Sequence, residues 1–359
     1  MQTTSNNHTT IYLDRNESQF GPAPECYDVL RRASMEELSN YSRDYARGVK
    51  SILSERLARE YDLPESNVLL SYGSEDMLKQ IVHCYLSEGQ AMMIPQHSWW
   101  YYKSVANEVD GNVIEYPMYS GELRFSYNIE EIVSLVRAVK PRLLLFASPN
   151  NPTGNALSIE EIEYLLSRCG DTRFVLDEAY FGFNDLPSAT IPRLTQKYPH
   201  LAVLRTFSKL YALAGTRIGY AFVGASYGKL VTFSARYLGY NQLSERIALA
   251  AFDDRAYYKD IAAVTANERN RYYEFFDGVD GCAAYRSEAN FILVKLPHED
   301  RDSLRKHLTD AGIVIKFFSE KEFPGHARIT IGRHEQNTLL LTKLQEYFVN
   351  ERALISEPR

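Results

Sequence analysis

A chain of 359 residues and 41.2 kDa is longer than one hydrophobic core usually serves, so two domains are expected. Its 40 basic against 46 acidic residues leave a net charge of −6, which offers no basic field to a nucleic-acid backbone. With 45% hydrophobic and 24% charged residues, a long disordered chain is excluded. Cys26, Cys84, Cys169 and Cys282 lie far apart, without a CxxC pair or a His/Cys cluster at ligand spacing, which reads as reduced thiols and no metal site. The opening MQTTSNNHTT lacks the apolar centre of a signal peptide, and runs such as Leu143–Ala147 are too short to cross a bilayer, so a cytoplasmic protein is expected.

Taken in chain order, Val49–Tyr61 carries Ile52, Leu53 and Leu57 at helical spacing, and Asn67–Tyr72 is a short apolar run that stops at Gly73. Asp76–Leu86 is again helical, with Met77, Ile81, Val82 and Tyr85 on one side. Strands are predicted at Ala91–Ile94, Asn112–Tyr116, Arg142–Ala147, Arg173–Leu176, Ala202–Thr206 and Ile218–Val223, which with Asn67–Tyr72 makes seven. Runs such as LLLF and FVL are apolar on successive residues and suit strands covered on both faces. Helices alternating with such strands predict an α/β fold around a mostly parallel seven-stranded sheet.

After a helical stretch over Leu243–Phe276 the texture changes. Strands at Asn290–Lys295, Ile313–Phe317 and Ala327–Ile331, with a helix over Arg301–Ala311, predict a smaller α+β domain. The expected division is an arm over 1–40 that packs with the small domain, a large domain over 41–255 and a small one over 256–359.

Ligands of an open α/β sheet bind beyond the carboxyl ends of its strands. Four such ends are followed by polar groups: Gly73-Ser74-Glu75-Asp76, Ser148–Gly154, Asp177–Tyr180, and Arg205–Lys209 with Ala212–Tyr220 after it. Each has a plain alternative. The first could be a turn and helix cap, the second a tight turn, Asp177 a cap and Lys209 a solvated surface residue. Their succession is what favours a pocket.

In order, SPNNPTG (148–154), LDEAY (176–180), RTFSK (205–209) and LAGTRIGY (213–220) resemble the motifs of fold-type I pyridoxal-phosphate aminotransferases, in particular the histidinol-phosphate aminotransferase group. LDRNESQFGP (13–22), SEANFIL (287–293) and ARITIG (327–332) extend the resemblance over nearly the whole chain. It implies pyridoxal 5'-phosphate as cofactor, with Lys209 as the residue that bonds it and then shuttles the Cα proton, and Asp177 as the carboxylate against its ring nitrogen. Asn151 and Tyr180 would hydrogen-bond the ring oxygen. Ser74, Glu75, Thr206, Ser208 and Arg217 would hold the phosphate, Arg217 through its planar fork. Trp99 falls where an aromatic stacks on the ring, with ordinary core packing as the alternative.

The resemblance further implies a homodimer in which Tyr45 reaches the partner's cofactor, Tyr41 being the rival. Arg328 would clamp a substrate carboxylate, unless it serves a structural salt bridge. Lys316 stands where a second arginine is expected, and Ser18-Gln19-Phe20 stands where an asparagine-proline-phenylalanine segment is usual; Lys316 and Phe20 would join Arg328 in binding the substrate. The implied reaction is transfer of an amino group from a histidinol-phosphate-like or aromatic donor to a 2-oxo acid such as 2-oxoglutarate. A lyase, decarboxylase or cyclase of the same fold is the alternative.

Overall fold

Successive residues of a fully buried strand must meet two different cores, and the central strands show this residue by residue. A computed structural model describes residues 10–170, 172–184, 189–297, 301–318 and 323–355. Its strands, in chain order, begin with β1 (Ile11–Leu13), β2 (Val68–Ser71), β3 (Ala91–Pro95), β4 (Asn112–Tyr116), β5 (Met118–Ser120), β6 (Phe125–Tyr127) and β7 (Leu143–Ala147). There follow β8 (Arg173–Asp177), β9 (Leu201–Thr206), β10 (Gly219–Val223), β11 (Ala283–Tyr285), β12 (Phe291–Lys295), β13 (Ile313–Phe317) and β14 (His326–Thr330).

Seven of them form the large sheet in the order β2-β10-β9-β8-β7-β3-β4. All run parallel except β10, which is antiparallel to both β2 and β9. On β7, Leu144 and Phe146 enter one core while Leu143, Leu145 and Ala147 enter the other. Phe174 and Leu176 of β8 join the first core and Val175 the second, so the runs read as two-faced strands are so. Their observed ends lie within a residue or so of the predicted ones.

The second sheet has the order β1-β13-β14-β12-β11 and its own core. Here the structure adds what the sequence did not announce. Strands β1 and β11, of three residues each, form its edges, and a hairpin of β5 and β6 stands apart. Too short to show periodicity, they are placed by long-range pairing, Ile11 opposite Ile313 and Tyr285 opposite Leu293, and by burial of Leu13 and Ala284 in the core of this sheet. The helical stretch of the sequence is two helices, Gln242–Asp253 and Arg255–Asp277, broken at Asp254, whose carboxylate caps the second by accepting from Tyr257 N at 3.2 Å.

The amino-terminal arm divides its attachments. Its strand β1 lies on the small sheet, whereas the helix Pro24–Arg31 buries Cys26 beside Ile247 of the helix Gln242–Asp253. All four cysteines are free thiols, and no described helix is long and apolar enough to cross a membrane.

Under the site, Phe146 and Phe174 stack at 5.2 Å and 13°, both wholly buried between adjacent strands. Phe146→Ala leaves a cavity that close-packed neighbours cannot fill, so the unfolding free energy should fall by about 3–5 kcal/mol. The shift of the urea midpoint, with an unchanged native circular dichroism spectrum, measures it.

Candidate active site

Parallel strands β7, β8 and β9 end at one rim, and their next residues supply most of the chemistry. After β7, Asn150 ties its own loop: its amide donates to the carbonyl of His97 and to Thr153 Oγ1, both at 2.6 Å, while Gly154 N returns to Asn150 O at 2.7 Å. That leaves Asn151 to face the rim, where its Oδ1 accepts from Arg328. Strand β8 ends on Asp177, 5% exposed, whose Oδ1 accepts from Ala179 N at 3.0 Å and whose Oδ2 accepts from the Tyr102 hydroxyl at 2.8 Å. Burial raises its pKa to about 6, against the pull of those two donors.

Tyr180, three residues on, packs edge-to-face on Phe291 at 5.0 Å and accepts at its hydroxyl from Asn16 Nδ2 at 2.8 Å. The Lys209 amine lies 5.7 Å from the Tyr180 ring and donates to the carbonyl of Arg15 at 3.2 Å. Burial pulls the pKa of Lys209 down to about 8, helped by the charges of Arg328 and Arg217 and opposed by Glu17 and Asp177.

A second cluster forms where β10 runs against its neighbours. Gly219 sits opposite both Ser71 and Thr206, and the helix Ser74–Tyr85 begins directly over it. A Cβ on Gly219 would stand 2.6 Å from Ser74 N and from the carbonyl carbon of Gly73. Gly73, at φ +93°, in turn has no room for a Cβ, which would meet Arg217 Nη2 at 2.8 Å. Two glycines thus bring the first free amides of a helix, at Ser74 and Glu75, beside the Arg217 guanidinium and the Thr206 and Ser208 hydroxyls, which bond each other at 2.9 Å. Arg217 donates only to the carbonyls of Tyr72 and Ala214, both at 3.3 Å, and has no carboxylate partner among the described residues. Amides, hydroxyls and a free fork make an anion cradle. The Glu75 carboxylate itself points outward and only its backbone belongs there.

Arg328, 9% exposed on β14, donates to Asn151 Oδ1 and, at 2.6 Å, to the carbonyl of Asp14; its Nε has no partner. No carboxylate pairs with it among the described residues, so the structural salt bridge is not formed there. Lys316 of β13 sits directly opposite Arg328, which puts both cations on one face of the small sheet. Trp99 is half-buried, 5.8 Å from Tyr102 and nearly perpendicular to it.

Other expected residues do not meet this group within one chain. Tyr45 is 39% exposed against Tyr237 at 5.7 Å, and Tyr41 is more exposed still. Phe20 is half-buried, its carbonyl accepting from the Tyr257 hydroxyl at 3.3 Å.

Two residues were missed. Tyr102 is wholly buried, with its hydroxyl titration driven far upward by burial and by Asp177, so it remains a donor to that carboxylate at every working pH. Its position three residues after Trp99, one helical turn, was the available signal. Asn16 had only its place in LDRNESQFGP to mark it.

A lysine amine held near neutrality, a buried carboxylate and an anion cradle at the rim of a mostly parallel sheet are the architecture of a fold-type I pyridoxal-phosphate enzyme. The sequence pattern of the family "Aminotransferase class I and II" matches residues 9–344, and the chain belongs to that family: an amino-group-transferring enzyme whose cofactor is pyridoxal 5'-phosphate. It is similar to histidinol-phosphate aminotransferases of Ruminiclostridium cellulolyticum (29% identity over 95% of this chain and 93% of the relative) and Brevibacillus brevis (31%, over 94% and 90%). The crystal structure of the Sinorhizobium meliloti histidinol-phosphate aminotransferase in complex with pyridoxal-5'-phosphate superposes with a TM-score of 0.83 at 24% identity, covering 95% of this chain and 92% of that one, which shows the shared fold.

Two outcomes are expected. Because the folded-state pKa of Asp177 lies above the 3.8 of a free aspartate, the folded chain binds the extra proton and loses stability as pH rises from about 4 to 6. Above that window the buried charge costs up to about 3 kcal/mol in the cofactor-free chain, so Asp177→Asn should raise apo-protein stability at pH 8, with the gain vanishing near pH 4 in urea titrations. Gly219→Ala should displace the start of the helix and weaken pyridoxal-phosphate binding by about tenfold or more, read by fluorescence titration.

Proposed function

We propose that this chain is a cytoplasmic, homodimeric aminotransferase that moves an amino group from an amino-alcohol phosphate of the histidinol-phosphate kind, or from an aromatic amino acid, to a 2-oxo acid such as 2-oxoglutarate. The observation that carries the reading is Arg328: a buried guanidinium without a carboxylate partner among the described residues, sharing the field of the Lys209 amine. A buried cation left unpaired suits a site that receives an anion.

The residues present fit the cofactor. An Arg217 fork without a carboxylate partner among the described residues, with the Thr206 and Ser208 hydroxyls and the first amides of the helix Ser74–Tyr85, suits a phosphate, and the costly charge of Asp177 suits a cationic ring nitrogen. When bound, pyridoxal 5'-phosphate supplies an aldehyde that captures amines and a conjugated ring that accepts the electron pair left when a Cα–H bond breaks.

Around it we assign Lys209 the covalent attachment and, once its amine is free, the transfer of the Cα proton through Nζ. A pKa near 8 leaves an appreciable share of free base at neutral pH. Asp177, steadied by Tyr102, holds the ring nitrogen protonated. Asn151 and Tyr180 would hydrogen-bond the ring oxygen, Trp99 would pack on the ring, and Ser74, Glu75, Thr206, Ser208 and Arg217 would hold the phosphate. Arg328 receives a carboxylate or phosphate, Lys316 a second anionic end, and Phe20 borders the substrate.

The dimer reading is supported by the exposed apolar side chains Met35, Leu38, Tyr41, Tyr237 and Leu238, of which Tyr237 packs on Tyr45, and which a second copy would cover while Tyr45 crosses to its phosphate. Residues 41–255 and 256–359 are assigned to the two domains, with the arm over 1–40.

A donor panel tests the reading. Histidinol phosphate or an aromatic amino acid should bleach the visible band of the holoenzyme and release one equivalent of oxo product, and 2-oxoglutarate should restore it. Borohydride should fix the cofactor to the peptide of Lys209, and Lys209→Ala should show neither band nor tag. Carbon dioxide or ammonia as the stoichiometric product, without bleaching, would point to a lyase instead.

A further inference from the structure

We infer that Asn16, from the amino-terminal arm, is a positioning residue that aims the single hydroxyl hydrogen of Tyr180 into the active site. Four hydrogen bonds fix it in place. Its backbone N–H donates to Thr330 Oγ1 at 2.9 Å, and that hydroxyl passes its own hydrogen to Asn16 Oδ1 at 3.2 Å. Asn290 Nδ2 donates to the Asn16 carbonyl at 3.1 Å. With Oδ1 taken up by Thr330, the amide can only turn its NH2 outward, and Nδ2 meets the Tyr180 hydroxyl at 2.8 Å. Asn16 is 1% exposed and sits at φ 55°, a left-handed conformation that asparagine tolerates better than most residues.

The consequence follows from counting donors. An amide NH2 cannot accept, so the phenol oxygen accepts there and its own hydrogen must point elsewhere. No described residue accepts it. Besides Asn16, the titratable groups that face Tyr180 are the Lys209 amine, the Arg328 guanidinium, the Asp177 carboxylate and the Tyr102 hydroxyl. Arg328 is a donor, Asp177 already accepts from Tyr102 and Ala179, and no hydrogen bond joins the Lys209 amine to the phenol among the described residues. The hydrogen is therefore held ready for an oxygen entering the space between them. Accepting from Asn16 also polarises the phenol and makes it a stronger donor. Because Thr330 ends β14 and Asn290 precedes β12, the same side chain ties the small sheet to the rim of the large one.

The inference rests on the proposed function, in which the entering oxygen belongs to the cofactor ring. Loss of a donor to that oxygen makes the bound cofactor more basic, so the pH midpoint of its visible absorption band should rise. Two variants respect the left-handed backbone. Asn16→Gly removes the donor. Asn16→Asp keeps the acceptor for Thr330 but offers Tyr180 a carboxylate, which turns the hydroxyl hydrogen back toward residue 16. In a spectral titration Asn16→Gly should raise the midpoint by about half a pH unit, roughly threefold in proton affinity, and Asn16→Asp should raise it further. In a Tyr180→Phe background the Gly effect should vanish and the Asp effect should shrink to the field of the added charge. A midpoint indifferent to both variants, or shifts as large with Phe at position 180, would overturn the inference and leave the functional reading standing. Absence of any visible band in the unaltered chain would overturn both.

Discussion

Beneath the site, one buried ion pair holds the two strands on which everything else hangs. Arg205, the penultimate residue of β9, is 1% exposed and donates from Nε to Glu178 at 2.7 Å, while its Nη1 donates to the Tyr61 hydroxyl at 3.0 Å and its guanidinium lies 3.5 Å from the centre of the Phe181 ring. Glu178 immediately follows Asp177, and its N–H donates to Leu204 O at 2.9 Å. Removing one partner of such a pair strands a charge in the core at about 3–5 kcal/mol. The pair thus fixes how far β8 and β9 project, and with that the starting points of Asp177 and Lys209.

Nearer the rim the electrostatics change character. Glu178 and Arg205 compensate each other, but the charges directed into the site do not. Burial raises Asp177, lowers Lys209 and lowers Arg328, so each is pushed toward its neutral form. These displacements arise from one cause, charges held in a space whose natural complements come from outside the chain. An occupant carrying a cationic nitrogen, an electrophilic carbon and an anionic end would relieve all three at once. The strain is the measure of how far the site is prepared in advance, and it explains why the groups can be set so close without collapsing onto one another.

How much of this could be read from the chain depended on range. Strands β7, β8 and β9 were legible because unbroken apolar runs have no other reading at that length, and the site residues were legible because they directly follow those runs. Three-residue strands such as β1 and β11 carry no period, and their pairing joins residues far apart in the chain. Asn16 and Tyr180 lie 164 positions apart, and Tyr102 and Asp177 lie 75 apart. No local pattern announces such contacts. Trp99 and Tyr102 lie three residues apart and 5.8 Å from each other, yet only Tyr102 reaches the carboxylate of Asp177, a partner that adjacency in the chain does not reveal.

The same distinction separates what the site does from what it acts on. The cofactor side is built from strand ends and one helix start, locked by backbone pairing, by two glycines without room for a side chain and by the buried pair below them. The residues to which we assign substrate contacts come from the arm, β13 and β14, elements of the other sheet linked to the rim by a few contacts: Asn16 to Tyr180, Arg328 to Asn151, and the Lys209 amine to the carbonyl of Arg15. The departures from the family pattern, Ser18-Gln19-Phe20 and Lys316, fall on this side. A lysine opposite Arg328 keeps a second positive charge but gives up the fork that reads a phosphate or carboxylate in two directions. Reaction class is therefore written into rigid local geometry, whereas the proposed substrate contacts lie where two sheets meet, a region in which a single side chain can differ without disturbing the strand ends that carry Asp177 and Lys209.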